Sequence, residues 1–289
     1  MKPFQYSCPA SLQEASEGLI HAIGDVRLLA GGTDLTVGLR HGHFQADTVL
    51  DLKRVVEMKP KITASQNEIV LSGFVAMTAI AQSDLINRHF QALAEAADVV
   101  GSRQIRNRAT LIGNICNASP AADTVPVLAA CGASVDIFGP QGARSMPVTA
   151  FIQGNRKIAL AVGELVTAVR LPFKNGQTGT AFGRITRRRG VDLATVNLCC
   201  HIGATGLATF AFGAASPRPL VVTDTSGMLC DPNTTEDQID AVIDGMVAQA
   251  KPISDVRASA DYRVAMLKVL ATRALATALQ RQREALADV

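Results

Sequence analysis

Two short runs carry the groups best suited to holding a ligand. The longer, residues 110–128 (Thr-Leu-Ile-Gly-Asn-Ile-Cys-Asn-Ala-Ser-Pro-Ala-Ala-Asp-Thr-Val-Pro-Val-Leu), reads as a small-residue loop between apolar flanks. Within it Gly113 permits close backbone approach, Asn114, Asn117 and Ser119 offer short hydrogen-bonding side chains, and Asp123 adds a carboxylate. The shorter run, residues 28–35 (Leu-Leu-Ala-Gly-Gly-Thr-Asp-Leu), sets Gly31, Gly32 and Thr33 between a strand and a helical segment, where successive amides converge on phosphate oxygens. Two such loops suit one extended anionic ligand.

Other chemistries lack their residues. There is no G-x-G-x-x-G and no G-x-x-x-x-G-K-[ST], so neither a Rossmann site nor a P-loop is supported. H-E-x-x-H and G-x-S-x-G are absent too. His41 and His43 lie close together but have no third ligand in view, and His21, His89 and His201 are isolated, which leaves few groups for acid–base catalysis. Chemistry on this chain therefore belongs to a cofactor, with the protein supplying position and electrostatics. The six cysteines show no C-x-x-C spacing and read as free thiols of a reducing compartment. A net charge of +3 is too mild to point to nucleic acid. The clusters Arg103, Arg106, Arg108 and Arg184, Arg187, Arg188, Arg189 lack interleaved aromatics and read as solvated faces. The opening residues lead into a polar segment rather than an apolar signal region, and the apolar stretch 125–138 is too short to span a bilayer. A cytosolic protein with no membrane contact is expected.

The elements that must position the loops follow from pattern. Ser11 with Glu14 three residues on predicts a capping box opening a helix over 11–23. Strands are predicted at 26–30, 49–52, 68–73, 133–138, 157–161 and 165–171, with helical character over 77–100 interrupted at Asp84 and Asn87. Gly, Asn and Lys at 172–179 mark a linker. Beyond it come three strands at 180–186, 195–204 and 207–212, the last two a hairpin, and then helices at 235–250 and 259–287. The outline is α+β, with a mixed first part and a small antiparallel sheet on helices.

Taken together, Leu29-Ala-Gly-Gly-Thr-Asp34 and the run 104–123 resemble the two FAD-binding loops of the flavoprotein (medium) subunit of molybdenum hydroxylases, the group of xanthine dehydrogenases and carbon monoxide dehydrogenases. Further matches are residues 181–184, Arg188 with 192–194, 212–218 and 254–263, so the resemblance spans the chain in order. It implies a two-lobed FAD-binding domain of the vanillyl-alcohol-oxidase (PCMH) type over 1–175, with lobes of about 1–56 and 57–175. A carbon monoxide dehydrogenase flavoprotein-like C-terminal domain over 176–289 follows, a three-stranded antiparallel sheet packed on helices.

The resemblance also implies roles. Leu29, Ala30, Gly31, Gly32, Thr33, Asp34 and Leu35 in the first loop, and Thr110, Gly113, Asn114, Ser119 and Asp123 in the second, would hold FAD. Leu165 or Val166 would give an apolar contact, and Arg184 stands where related subunits have Lys near the flavin. No residue is expected to be catalytic and none to bind metal. The implied partners are an iron–sulfur subunit with [2Fe–2S] clusters and a subunit with the molybdenum cofactor, with NAD+ or another acceptor, such as oxygen or a ferredoxin, taking the electrons. Ile112 departs from the family pattern, in which a glycine stands there; a positive φ at 112 would strain Ile, so either the turn differs or the cofactor sits differently. Two rival readings are a self-sufficient flavin oxidoreductase of the same fold and a flavin-free scaffold.

Overall fold

The computed structural model describes residues 2–173 and 178–287. The boundary expected at 175/176 lies outside those residues. The first sheet is parallel, in the order β1 (Gln5–Ser7), β3 (Thr48–Asp51), β2 (Val26–Leu29). Parallel neighbours need crossovers, and α1 (Leu12–His21) and α2 (Leu35–His41) supply them. The Ser11 hydroxyl accepts the Glu14 amide at 3.1 Å as expected, but Glu14 Oε2 reaches back to the Ala10 amide, one residue short of a full capping box.

A five-stranded antiparallel sheet follows, β4 (Lys61–Ala64), β5 (Glu68–Ser72), β10 (Leu165–Pro172), β6 (Ser134–Gly139), β7 (Gly142–Pro147). The connection between β5 and β6 holds the short helices α3 (Met77–Ala81), α4 (Asp84–His89), α5 (Gln91–Asp98), α6 (Arg103–Arg106), α7 (Leu111–Asn117) and α8 (Thr124–Ala130). The helical stretch expected over 77–100 is thus cut in three. Ser83 caps α4, and Asn87 spans the first break by donating to the carbonyls of Ala81 and Ser83. After β7, α9 (Val148–Phe151) leads into the hairpin β8 (Ile152–Gly154) and β9 (Lys157–Ile158), shorter than the strand expected at 157–161.

The third sheet is antiparallel, β11 (Gly179–Ile185), β12 (Val196–Ile202), β13 (Ala208–Gly213), β14 (Leu220–Thr223). The three expected strands are joined by β14, a four-residue edge strand that follows Pro217 and Pro219 and is only half-buried, too short to leave a clear alternation. Helices α10 (Glu236–Val247) and α11 (Ala260–Ala287) cover one face. Alternation along β12 sends Val196, Leu198, Cys200 and Ile202 into that core. Cys199 and its β13 neighbour Ala211 join the core of the N-terminal lobes, against α8. The central strand is buried on both faces.

Helix α11 runs antiparallel to β11. Arg263 near its start donates to the Thr195 carbonyl. A Cβ at Gly183 would stand 3.2 Å from Leu270, and one at Gly179 only 1.9 Å from the Ala278 carbonyl. At the far end Arg281 donates to Thr180 O at 2.7 Å and pairs with Glu95 of α5.

Candidate cofactor site

The first glycine run leaves β2 at the carboxyl edge of the parallel sheet, the edge at which open sheets bind ligands. Gly32 takes φ +78°, a conformation open to glycine, and its carbonyl accepts the Thr36 amide at 3.0 Å and the Thr36 hydroxyl at 2.6 Å. Among the described residues the amides of Gly31, Gly32, Thr33 and Asp34 donate to no protein group. Gly31 abuts the second segment: a Cβ there would lie 2.0 Å from the Arg108 carbonyl and 3.2 Å from the Ala109 Cα. The backbones of the two runs therefore touch just before Thr110.

That second segment is not the open loop its composition suggests. Thr110 is the N-cap of α7, its hydroxyl accepting the Gly113 amide at 3.1 Å and keeping its own proton to donate. Leu111, Ile112 and Ile115 bury one face of the helix, leaving Gly113, Asn114 and Asn117 on the other, half-buried. Asn114 Oδ1 accepts the Thr124 hydroxyl at 2.7 Å, so its amide nitrogen is left as a donor. Ala118 ends α7 in the left-handed region, φ 46°, and the Ser119 hydroxyl accepts the Ala121 amide in the turn before α8. Ile112 is absent from the positive-φ residues and packs in the core, so its replacement of glycine brings no strain.

Asp123 closes the segment and is nearly sealed from solvent. Both its oxygens are taken: Oδ2 by Arg184 Nη1 at 2.9 Å, Oδ1 by Asn197 Nδ2 at 3.0 Å. Burial pushes its carboxyl up, while Asn197 and Arg184 pull against that. Arg184, on β11, also donates to the Val99 carbonyl at 3.1 Å. The residues singled out in the sequence thus form a path from Gly31 through Thr110 and Asn114 to Asp123 and Arg184. Leu165 and Val166 lie on β10, against which α7 packs; being adjacent in a strand, they point to opposite faces. Asp34 is exposed.

A family model described as the FAD binding domain in molybdopterin dehydrogenase matches residues 2–174. The chain belongs to that flavoprotein family. A second model, the CO dehydrogenase flavoprotein C-terminal domain, matches residues 181–278. The chain is 26% identical over 258 residues to the xanthine dehydrogenase FAD-binding subunit of Escherichia coli O157:H7, covering 88% of each. It is 30% identical over 253 residues to the nicotinate dehydrogenase FAD-subunit of Eubacterium barkeri, covering 84% of this chain and 85% of that one. Among solved structures it matches carbon monoxide dehydrogenase from Hydrogenophaga pseudoflava with a TM-score of 0.88 at 27% identity, over 97% of this chain and 99% of the other.

Three residues of this FAD-binding flavoprotein escaped sequence reasoning. Asn197 holds Asp123, and a Cβ at Gly213 would stand 1.9 Å from its Oδ1, so that glycine makes room for it. An Asn within an apolar strand run, Val-Asn-Leu-Cys-Cys, is the signal that would have found it. Phe44 and Arg156 join the lobes: the Arg156 guanidinium lies 5.1 Å over the Phe44 ring and also donates to Asn117 Oδ1 at 3.2 Å. Nothing in their spacing announces that contact.

Proposed function

We propose that this chain is the electron-transfer subunit of a heteromeric molybdenum hydroxylase. It takes electrons from [2Fe–2S] clusters on an iron–sulfur partner, downstream of a molybdenum-cofactor subunit, and passes them through FAD to NAD+ or another acceptor in the cytosol. The observation that carries this reading is the row of unpaired amides at 31–34 set backbone to backbone against the Thr110-capped helix. Diphosphate oxygens are acceptors, and such amides are their natural donors. Pairing with Arg184 cancels the charge of Asp123, so the second segment offers an anion donors rather than a repelling carboxylate.

The cofactor-binding set is Leu29, Ala30, Gly31, Gly32, Thr33, Asp34, Leu35, Thr110, Gly113, Asn114, Ser119, Asp123, Leu165, Val166 and Arg184. The first-loop amides and the Thr110 proton grip phosphate. The Asn114 amide and Ser119 hydroxyl serve the sugar, and the exposed Asp34 carboxylate accepts from hydroxyl groups. Asp123 acts by holding Arg184, which presents an oriented ion pair instead of a bare cation. Bound FAD supplies the exchange between paired and single electrons for which protein side chains are unsuited.

The test is the visible spectrum of the full chain after FAD loading and desalting, followed by addition of the partner chains and a substrate of the molybdenum site. Retained flavin that bleaches only when the iron–sulfur chain is present is expected. A colourless chain, or flavin reduced by a small substrate with this chain alone, would reject the reading.

A further inference from the structure

Helix α8 lies along β12, and polar groups fasten the pair at both ends. At the cofactor end Asp123, just before α8, accepts from Asn197. Asn197, Cys199 and His201 alternate on one face of β12, so His201 stands about 13 Å along the strand from Asn197 at ~3.3 Å per residue. Cys131, the C-cap of α8, lies about 12 Å along the helix from Asp123 at ~1.5 Å per residue. The two lengths agree, and at the far end Cys131 meets Cys199 and His201. Cys131 and Cys199 share one buried cluster, whereas Cys200 points the other way, into the core under α10 and α11.

These three groups are a nucleophile, a second thiol and an acid. The Cys199 thiol donates to the Cys131 sulfur and, with the His201 ring beside it, outweighs burial to hold the Cys131 thiol well below the ordinary 9.0. Burial and the facing sulfur push the Cys199 thiol up, so it keeps its proton, for which the Cys200 carbonyl is a second acceptor at 3.5 Å. Burial pulls His201 down, but Cys131 outweighs it and holds the ring above the ordinary 6.5. Among the described residues the buried Nδ1 of His201 has no nitrogen or oxygen partner, which leaves the sulfur as the group the ring serves. The ring is only half-buried and lies under the turn 203–206, where a Cβ at Gly203 would stand 3.8 Å from Nε2.

We propose that Cys131 and Cys199 form a peroxide-sensitive dithiol that closes to a disulfide between the N-terminal lobes and the C-terminal domain. Hydrogen peroxide, little larger than water, enters past His201. The Cys131 thiolate attacks one peroxide oxygen, the O–O bond breaks, and the sulfur becomes a sulfenic acid while the departing hydroxide takes the His201 proton and leaves as water. The Cys199 sulfur then attacks the sulfenic sulfur. The S–S bond forms, the S–O bond breaks, and the second hydroxide carries off the Cys199 proton as water. Two thiols are oxidised and one peroxide is reduced to two waters. The new bond staples the far end of the α8–β12 pair, whose near end holds Asp123 to Asn197 and Arg184.

The test treats the full-length chain, reduced and freed of reductant, with hydrogen peroxide, denatures it in an alkylating agent and digests it without reductant for mass spectrometry. The parent is expected to lose two hydrogens and two alkylatable thiols, to yield a peptide linking Cys131 to Cys199, and to recover both thiols in dithiothreitol. Cys199→Ser is expected to stop at a sulfenic acid on Cys131 that dimedone captures, and Cys131→Ser to leave Cys199 unoxidised. His201→Gln should slow closure about tenfold or more, the loss of a proton donor to the leaving hydroxide, while Cys200→Ala should close at the parent's rate. The oxidised parent should also melt at a higher temperature than the reduced one, because the bond ties together two parts of the chain far apart in sequence. A parent that keeps all six thiols, or a disulfide to any other cysteine, would overturn the proposal. So would closure at the parent's rate in the His201 variant, or a melting midpoint that oxidation leaves unmoved. The parent alone gives the first two results, whichever of the buried variants folds.

Discussion

A buried carboxylate costs several kcal/mol unless it is paired, and Asp123 is paired on both oxygens. Asp123→Asn removes the charge that holds Arg184 and leaves a partly buried cation short of its partner, so urea unfolding should show a loss of roughly 1–3 kcal/mol. Loaded with FAD, that variant should also have a flavin potential higher by about 30 mV, because an uncompensated guanidinium favours the more negative, reduced flavin. A potential that is unchanged or lower in a redox titration would place Arg184 away from the ring. Gly31 is the second decisive position. In Gly31→Val the side chain meets the Arg108 carbonyl and forces the two runs apart. The thermal midpoint should fall with a cost of roughly 1–3 kcal/mol, and the folded protein should be colourless after FAD loading. Full retention of flavin would contradict the cradle.

Helix α7 explains why a composition that reads as loop is ordered structure. Its Asn and Gly residues occupy one face while Leu111, Ile112 and Ile115 bury the other, and three turn-forming residues among seven hide a period that is only two turns long. The first run was more legible, since strand, glycines and helix follow one another there as the sequence suggests. Ile112→Gly, which restores the residue usual in the resembled family, should lower stability by roughly 3 kcal/mol through lost burial and helix propensity, with no gain in FAD occupancy. Calorimetry and the visible spectrum check both parts. The antiparallel pairing around β10 joins partners far apart in sequence, Glu68 and Pro172 for example, and no local pattern encodes such a partnership. One ion pair braces the edge of that sheet: Arg144 on β7 grips both oxygens of Glu164 at 2.7 Å and holds its carboxyl below the ordinary 4.5. A depressed carboxylate contributes stability that is present above its unfolded value and is lost as pH falls through the folded one. Glu164→Gln should therefore flatten the fall of the urea midpoint as pH drops below 4.5, a change of at most roughly 1 kcal/mol because Arg144 is partly exposed.

At the scale of the molecule the final helix is an internal strut. Its Arg281 turns inward to Glu95 and Thr180, and Leu267, Leu270, Ala271, Ala274, Leu275 and Ala278 form one wall of a core. Arg281→Ala should cost roughly 1–2 kcal/mol and leave a single unfolding transition in calorimetry. Two separated transitions would show that the C-terminal sheet melts independently of the flavin lobes. The double burial of β12 bears finally on how the chain is made. During synthesis the first 174 residues leave the ribosome with the outer side of α8 bare, and nothing covers it until residues 196–213 follow. At about 5–20 residues per second that is an interval of seconds in which an apolar face stands open to the cell. A growing chain of this design depends on shelter during its own translation, and fragments ending before β13 should be prone to aggregate even when every residue of the first glycine run is intact.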